Sequence, residues 1–192
     1  MGFFTCATFV PTEKSRLLFL VGTSTGALLA FDSKAHFEPR VVPLPGSVKA
    51  VSAGRAGEVL VAVAGRGVTL FSDASLTSFI ELEQGPPTNF KVGHLAFAPD
   101  LFGHKTKLFF TAGEEKLAIW EFDPEGGQVV LQRTLELGGG VAGVFWTLSG
   151  LSLFGFVLRR GQPEGTIEAV HVARNLDAPG VEWSLEPINL LS

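Results

Sequence analysis

The feature that most constrains this chain is internal repetition. Residues 16–32 read RLLFLVGTSTGALLAFD: an apolar run, a turn bounded by Gly22 and Gly26, and a second apolar run closing on Phe31. Residues 58–73, EVLVAVAGRGVTLFSD, follow the same plan, with Gly65-Arg66-Gly67 as the turn and Phe71 as the closing aromatic. Residues 107–123, KLFFTAGEEKLAIWEFD, turn at Gly113-Glu114-Glu115-Lys116 and close on Trp120. A looser copy covers residues 151–172, with Arg159 and Arg160 in a longer turn and His171 at the closing position. Such short apolar runs suit strands better than helices. Glycine supplies the positive φ that tight hairpin turns demand. Each copy is therefore expected to be a β-hairpin.

Further strands flank each hairpin. Alternating segments at 4–11, 48–53, 92–100 and 141–146 lead into the four copies, and two of them end in proline, which cannot continue a central strand. More polar segments at 37–44, 76–82, 129–137 and 181–188 follow them. Pro39 and Pro187 lie among these, as expected of edge strands, where proline and charge blunt unpaired backbone. The closing positions recur roughly every 40–50 residues, the period of a four-stranded propeller blade. No segment shows the i, i+3, i+4, i+7 pattern of an amphipathic helix. The expected fold is all-β: about four antiparallel four-stranded blades, at 3–44, 48–82, 90–137 and 141–188, forming one repeat domain over 1–192.

Composition narrows the function. Hydrophobic residues are 46% and charged residues 18%, so the chain can bury a core. A net charge of −4 offers no basic field for phosphates, which argues against a nucleic-acid partner. Cys6 is the only cysteine, which excludes an intrachain disulfide and a Cys-based zinc site and favours an intracellular compartment. The first residues lack the basic start of a signal peptide, and Cys6 stands where myristoylation wants Ser or Thr. The apolar run at 17–21 falls far short of a membrane span.

The motifs that invite chemistry have plainer readings. Gly22-Thr23-Ser24-Thr25-Gly26 lacks the Gly-Lys-Ser/Thr ending of a phosphate loop and leads into a strand, so it is expected to be a hairpin turn. His36, His94, His104 and His171 show no metal-ligand spacing; His94 and His171 fall in strands as structural histidines, the other two in solvated loops. Glu114 and Glu115 suit a solvated turn. Ser149-Gly150 lacks the preceding glycine of a nucleophile elbow. Cofactors and metals are expected to be absent.

Residues 92–100 (VGHLAFAPD) and 5–11 (TCATFVP) resemble the leading strand of a WD40 repeat, and Leu117-Ala118-Ile119-Trp120-Glu121 is similar to its closing Trp-Asp signature, with Glu for Asp. Phe31-Asp32 is a Phe-Asp version of the same ending. The likeness covers nearly the whole chain but is specific only in the first and third units. No unit carries the Gly-His dipeptide before the leading strand, so the Asp-His-Ser-Trp network of well-formed WD40 blades is not expected. A narrower similarity joins TCATFVP, LVGTSTGALLAFD and VKAVSAGRAGEVLVAVAGRGVTLFSD to WD-repeat proteins of cilia and flagella.

The resemblance implies a binding scaffold among other protein subunits, with a ciliary or axonemal assembly as the narrower form and the cytoplasm or cytoskeleton as its place. Seven blades take around 300 residues, and this chain has room for about four. Its terminal blades must therefore bury a face on another chain, on a further segment, or on each other. The last case would be a small closed propeller binding a ligand in its channel, whose hemopexin-like form uses a disulfide that one cysteine cannot supply. A propeller hydrolase would need convergent His, Asp and Glu, and the sequence gathers none. Gly22, Gly26, Phe31, Gly65, Gly67, Phe71, Gly113 and Trp120 are expected to shape turns and close blades. Thr23, Arg66, Glu114, Lys116, Arg159 and Arg160 are the candidate partner contacts. The connectors 43–47, 85–89 and 138–140 are expected on one rim and the hairpin turns on the opposite rim.

Overall fold

The computed structural model describes residues 2–12, 16–34, 38–82, 91–99, 105–159, 167–175 and 182–188. They form sixteen strands in four antiparallel sheets, with no helix among the described residues. Sheet A holds β1 (Phe4–Thr12), β2 (Arg16–Thr23), β3 (Ala27–Asp32) and β4 (Arg40–Pro43). Sheet B holds β5 (Val48–Ala53), β6 (Val59–Val63), β7 (Gly67–Phe71) and β8 (Phe79–Leu82). Sheet C holds β9 (His94–Phe97), β10 (Lys107–Gly113), β11 (Lys116–Asp123) and β12 (Gln128–Glu136). Sheet D holds β13 (Gly139–Trp146), β14 (Ser152–Arg159), β15 (Ile167–Asn175) and β16 (Glu182–Ile188). In each sheet the strands lie in chain order, every neighbour joined by a reversal. That is the meander expected of a propeller blade. By internal contacts the chain divides into two compact units, Met1–Phe97 and Ala98–Ser192.

In the first unit, period-2 alternation decides what is buried. Val10, Leu18, Leu20, Leu28, Ala30 and Val42 share one face of sheet A and pack on Val59, Val61, Val63 and Phe71 of sheet B. β1 and β5 run side by side. At Gly22 there is no room for a side chain: an added Cβ would sit 2.5 Å from Val48 Cγ1 of sheet B and 2.7 Å from Cys6 Sγ of the neighbouring β1. The middle strands of sheet B, VLVAV and GVTLF, are buried on both faces. In sheet A the alternating pattern of β3 leaves one face open, whereas β2 is buried on both faces from Leu20 to Thr23.

The second unit repeats the contrast. β10 and β11 are buried along both faces at their centres. In β14, Leu153, Gly155 and Val157 are buried while Phe154, Phe156 and Leu158 are more open. An aromatic contact ties sheet C to sheet D, Phe110 meeting Trp146 at 6.0 Å, and within sheet D Trp146 meets Trp183 edge-on at 6.1 Å.

The hairpin turns lie where the repeats place them. Gly26, Gly65 and Gly67 have φ of 85°, 71° and 93°. The third hairpin differs, because Gly113 stays in the strand and Glu114 takes the positive φ of 53°. The turn of the fourth hairpin, and connector 85–89, lie outside the described residues.

The expected division of loops between opposite rims is overturned. The connector after β4 lies beside the hairpin turns: the Leu44 N–H donates to the Gly26 carbonyl at 2.8 Å, and the Ala64 N–H to the Ser47 carbonyl at 2.8 Å. In the second unit the Val141 and Leu137 N–H groups donate to the Glu114 and Glu115 carbonyls. The reason is strand parity. In a four-stranded meander the fourth strand ends at the same edge as the turn joining the second and third, so connector and hairpin turn share a rim. No helix of the described residues is long and apolar enough to cross a membrane.

Candidate interaction surfaces

The hairpin rim is the first candidate surface. In the first unit it carries Ser24, Thr25 and Arg66, with Thr25 and Arg66 exposed. Thr23 does not join them: it is buried, and its hydroxyl accepts from the Ala27 N–H at 2.9 Å and donates to the Ala27 carbonyl at 3.0 Å. It locks the turn, as side-chain to backbone bonds of Thr do. Phe3 and Phe4 add what no sequence pattern flagged. Phe3 is 78% and Phe4 74% exposed. Phe3 is nevertheless held to the turn, its N–H donating to Ser24 Oγ and its carbonyl accepting from the Ser24 N–H, each at 2.9 Å.

In the second unit the turn of the third hairpin carries Glu114, Glu115 and Lys116. Lys116 Nζ lies 3.3 Å from Glu136 across the β11–β12 pair, an exposed ion pair of small energetic weight. With Gly140 these residues line an open hollow of about 410 Å³. A second cleft of about 260 Å³ opens at the opposite end of sheet C, between Leu108 and Glu121 on one side and Leu151 and Arg174 on the other. Glu121 already accepts a 2.7 Å bond from Gln132. The Arg159 side chain and Arg160 lie outside the described residues, as do His36 and His104. The His171 ring lies tilted against Phe154 at 5.1 Å, and His94 sits half-buried in β9. Among the described residues no three His, Cys, Asp or Glu side chains gather as metal ligands.

Two interior contacts matter for shape. Trp120 Nε1 donates to Thr111 Oγ1 at 2.9 Å, both residues buried, and Phe109 stacks on the indole at 6.1 Å. One link of the blade network that the sequence gave no reason to expect is thus present. Glu58 is 2% exposed, and its carboxylate accepts the Ala56 N–H at 3.0 Å, closing the β5–β6 turn.

The terminal sheets supply the second kind of surface. On sheet A, Phe9, Phe19 and Phe31 lie in cross-strand register on the face turned away from sheet B. Their rings are 4.9 and 6.3 Å apart, and Leu17 and Val41 extend the row. Phe9 is 64% exposed. On sheet D, Phe145 meets Phe154 at 6.0 Å and Phe156 at 5.6 Å, with Leu158 and Ile167 beside them. Phe145 is 47% exposed. Contiguous apolar patches of this kind mark interaction surfaces.

No family model matches the chain, and no curated protein does. Solved structures do. A chain of the Mitotic Checkpoint Complex superposes with a TM-score of 0.59 at 14% identity, over 90% of this chain and 51% of that one. The β-propeller domain of Cps50 (Swd1) from Myceliophteria thermophila gives 0.57 at 19% identity, over 82% and 51%. The WD40 repeats of RRP9 give 0.58 at 13% identity, over 86% and 47%. The chain therefore spans about half the length of the structures it matches. At such identities the likeness shows architecture: this is an all-β chain of four antiparallel blades built like those of WD40 β-propellers.

Proposed function

We propose that this chain is a non-enzymatic protein–protein interaction scaffold, a WD40-like subunit of a larger assembly. The observation that carries the reading is the pair of aromatic faces on sheets A and D, each a packed row of side chains with no covering layer among the described residues. Burying such rows against another protein is favourable at about 25 cal/mol per Å². The exposed rim residues Phe3, Arg66 and Glu114 add distinct chemistry for recognition. The structural neighbours support the reading too: one is a chain of a named complex, and two are WD40 or propeller modules. An axonemal or ciliary assembly is the narrower form of the proposal, resting on the similarity of segments 5–11, 20–32 and 48–73 to the WD-repeat proteins of those structures.

The test is affinity capture from a native extract with the whole chain as bait, repeated with Arg66→Glu and with Lys116→Glu. A defined set of proteins is expected, with at least one member lost on charge reversal at the rim. Capture of nothing above an inert control, or a set unchanged by either substitution, would overturn the rim as the site of recognition.

A further inference from the structure

We propose that the cleft between sheets C and D, at the end of sheet C away from the third hairpin turn, docks an acidic segment of a partner protein whose carboxylate Arg174 receives. The inference rests on the scaffold reading and names the chemistry of one partner.

The cleft lies wholly within the second unit. One wall is the start of β10, Lys107 and Leu108, with Glu121 of β11 paired to Leu108. The other wall is the turn into β14, ending at Leu151, with Arg174 near the end of β15. Backbone bonds brace both walls. The Ala98 N–H donates to the Leu108 carbonyl at 2.8 Å, and the Arg174 N–H to the Leu151 carbonyl at 3.1 Å. Where the walls meet, Gly150 takes a φ of 68°, and an added Cβ would sit 2.8 Å from the Pro99 carbonyl oxygen. The opening is framed by hydrogen-bonded backbone, so a ligand meets walls already in place.

Three observations select the occupant. The first is charge. Among the described residues the lining sets Lys107 and Arg174 against one carboxylate, Glu121, in a chain whose net charge is −4. Gln132 Nε2 already donates to that carboxylate at 2.7 Å. A locally positive site on an acidic chain favours an anionic ligand. The second is the guanidinium. Arg174 is half-buried, and its side chain makes no hydrogen bond or ion pair with the described residues. Its planar fork matches a carboxylate through two parallel bonds. The third is size and polarity. The cleft holds about 260 Å³, below the roughly 300–1,000 Å³ of pockets that take drug-sized ligands, so it has room for one or two side chains. Leu108 and Leu151 stand beside the cations, and Leu151 is 37% exposed. An Asp or Glu next to an aliphatic residue matches both halves of this lining. A nucleic-acid strand does not, because it brings a run of phosphates to a site with few cations.

Panning a phage library of random peptides against the whole chain tests this, with synthetic copies of the enriched peptides then measured by fluorescence anisotropy. Enriched peptides should carry Asp or Glu beside Leu, Ile or Val. Arg174→Ala should weaken their binding by at least about tenfold, and Arg174→Lys, which keeps the charge without the fork, should restore only part of it. Leu151→Glu places a carboxylate in the cleft at an exposed position, so it should also abolish binding while the far-UV circular dichroism stays that of the parent. Lys49→Glu, exposed on β5 of the first unit, should leave binding unchanged. The absence of an acidic motif would overturn the proposal. So would peptides that bind both Arg174→Ala and Leu151→Glu as tightly as the parent, lose equal affinity with Lys49→Glu, or are displaced by a single-stranded oligonucleotide. Capture of a defined protein set from a native extract, with no peptide enriched, removes the cleft and leaves the scaffold reading standing. Acidic peptides that need Arg174, in a chain that captures nothing, do the reverse.

Discussion

Thr111→Val removes one hydroxyl from the middle of sheet C and keeps the shape of the side chain. The parent hydroxyl accepts the Trp120 indole N–H at 2.9 Å. Thr111 is 2% and Trp120 7% exposed, so water cannot take its place. A buried donor stripped of its acceptor costs its desolvation, about 1–3 kcal/mol. Trp120→Phe deletes the donor and also part of a ring that stacks on Phe109, so it costs about 2–4 kcal/mol. The double variant should be less destabilised than the two singles added together, by about 1 kcal/mol, because the second change strands nothing new. Urea unfolding followed by far-UV circular dichroism reads this directly. With a slope of about 2 kcal/mol per molar, Thr111→Val should lower the midpoint by roughly 0.5–1.5 M. A midpoint unchanged by Thr111→Val, or single effects that simply add, would refute the claim that this bond helps hold the blade.

Other substitutions test the turns and the rim. Gly26 and Gly65 both have positive φ, but only at Gly26 would a Cβ meet backbone, the Leu44 carbonyl at 2.7 Å. Gly65→Ala should therefore cost about 1 kcal/mol and Gly26→Ala about 3 kcal/mol by the same urea assay. Thr23→Val should lose about 1–2 kcal/mol through its two bonds to Ala27, showing itself as a stability change and not as a partner contact. Glu58→Ala should destabilise the first unit by about 1–3 kcal/mol by removing the buried carboxylate that holds the Ala56 N–H, and Glu58→Gln, which keeps an acceptor oxygen, by less.

The sheets were legible because alternation and glycine spacing are local. The central strands follow from runs such as VLVAV or KLAIWEFD and the turns between them, while Pro39 falls just before β4 rather than within it. What lies on either side of a sheet is not local. Phe9, Phe19 and Phe31 look in sequence like core residues, the same type as the buried Phe71 and Phe109. Only the layer beside them decides which is covered. The same holds for Glu58, whose burial depends on a turn that folds back over it, and for Thr111, which becomes an acceptor only when β11 pairs with β10 in a register that sets Trp120 two residue pairs from it, on the same face. The rim assignment was wrong although strand parity already contained the answer: four antiparallel strands bring the connector back to the hairpin turn. Thr23 was misplaced for a related reason, since a hydroxyl in a Gly-bounded turn bonds its own backbone before it meets solvent.

The central claim is that one four-stranded meander is repeated four times, and interstrand Hα–Hα contacts in a nuclear Overhauser spectrum test it most directly. Cross-peaks should join first to second, second to third and third to fourth strands within each of residues 4–43, 48–82, 94–136 and 139–188, at antiparallel register. Cross-peaks between parallel strands, or runs of i to i+3 contacts typical of helix inside any of those segments, would contradict it.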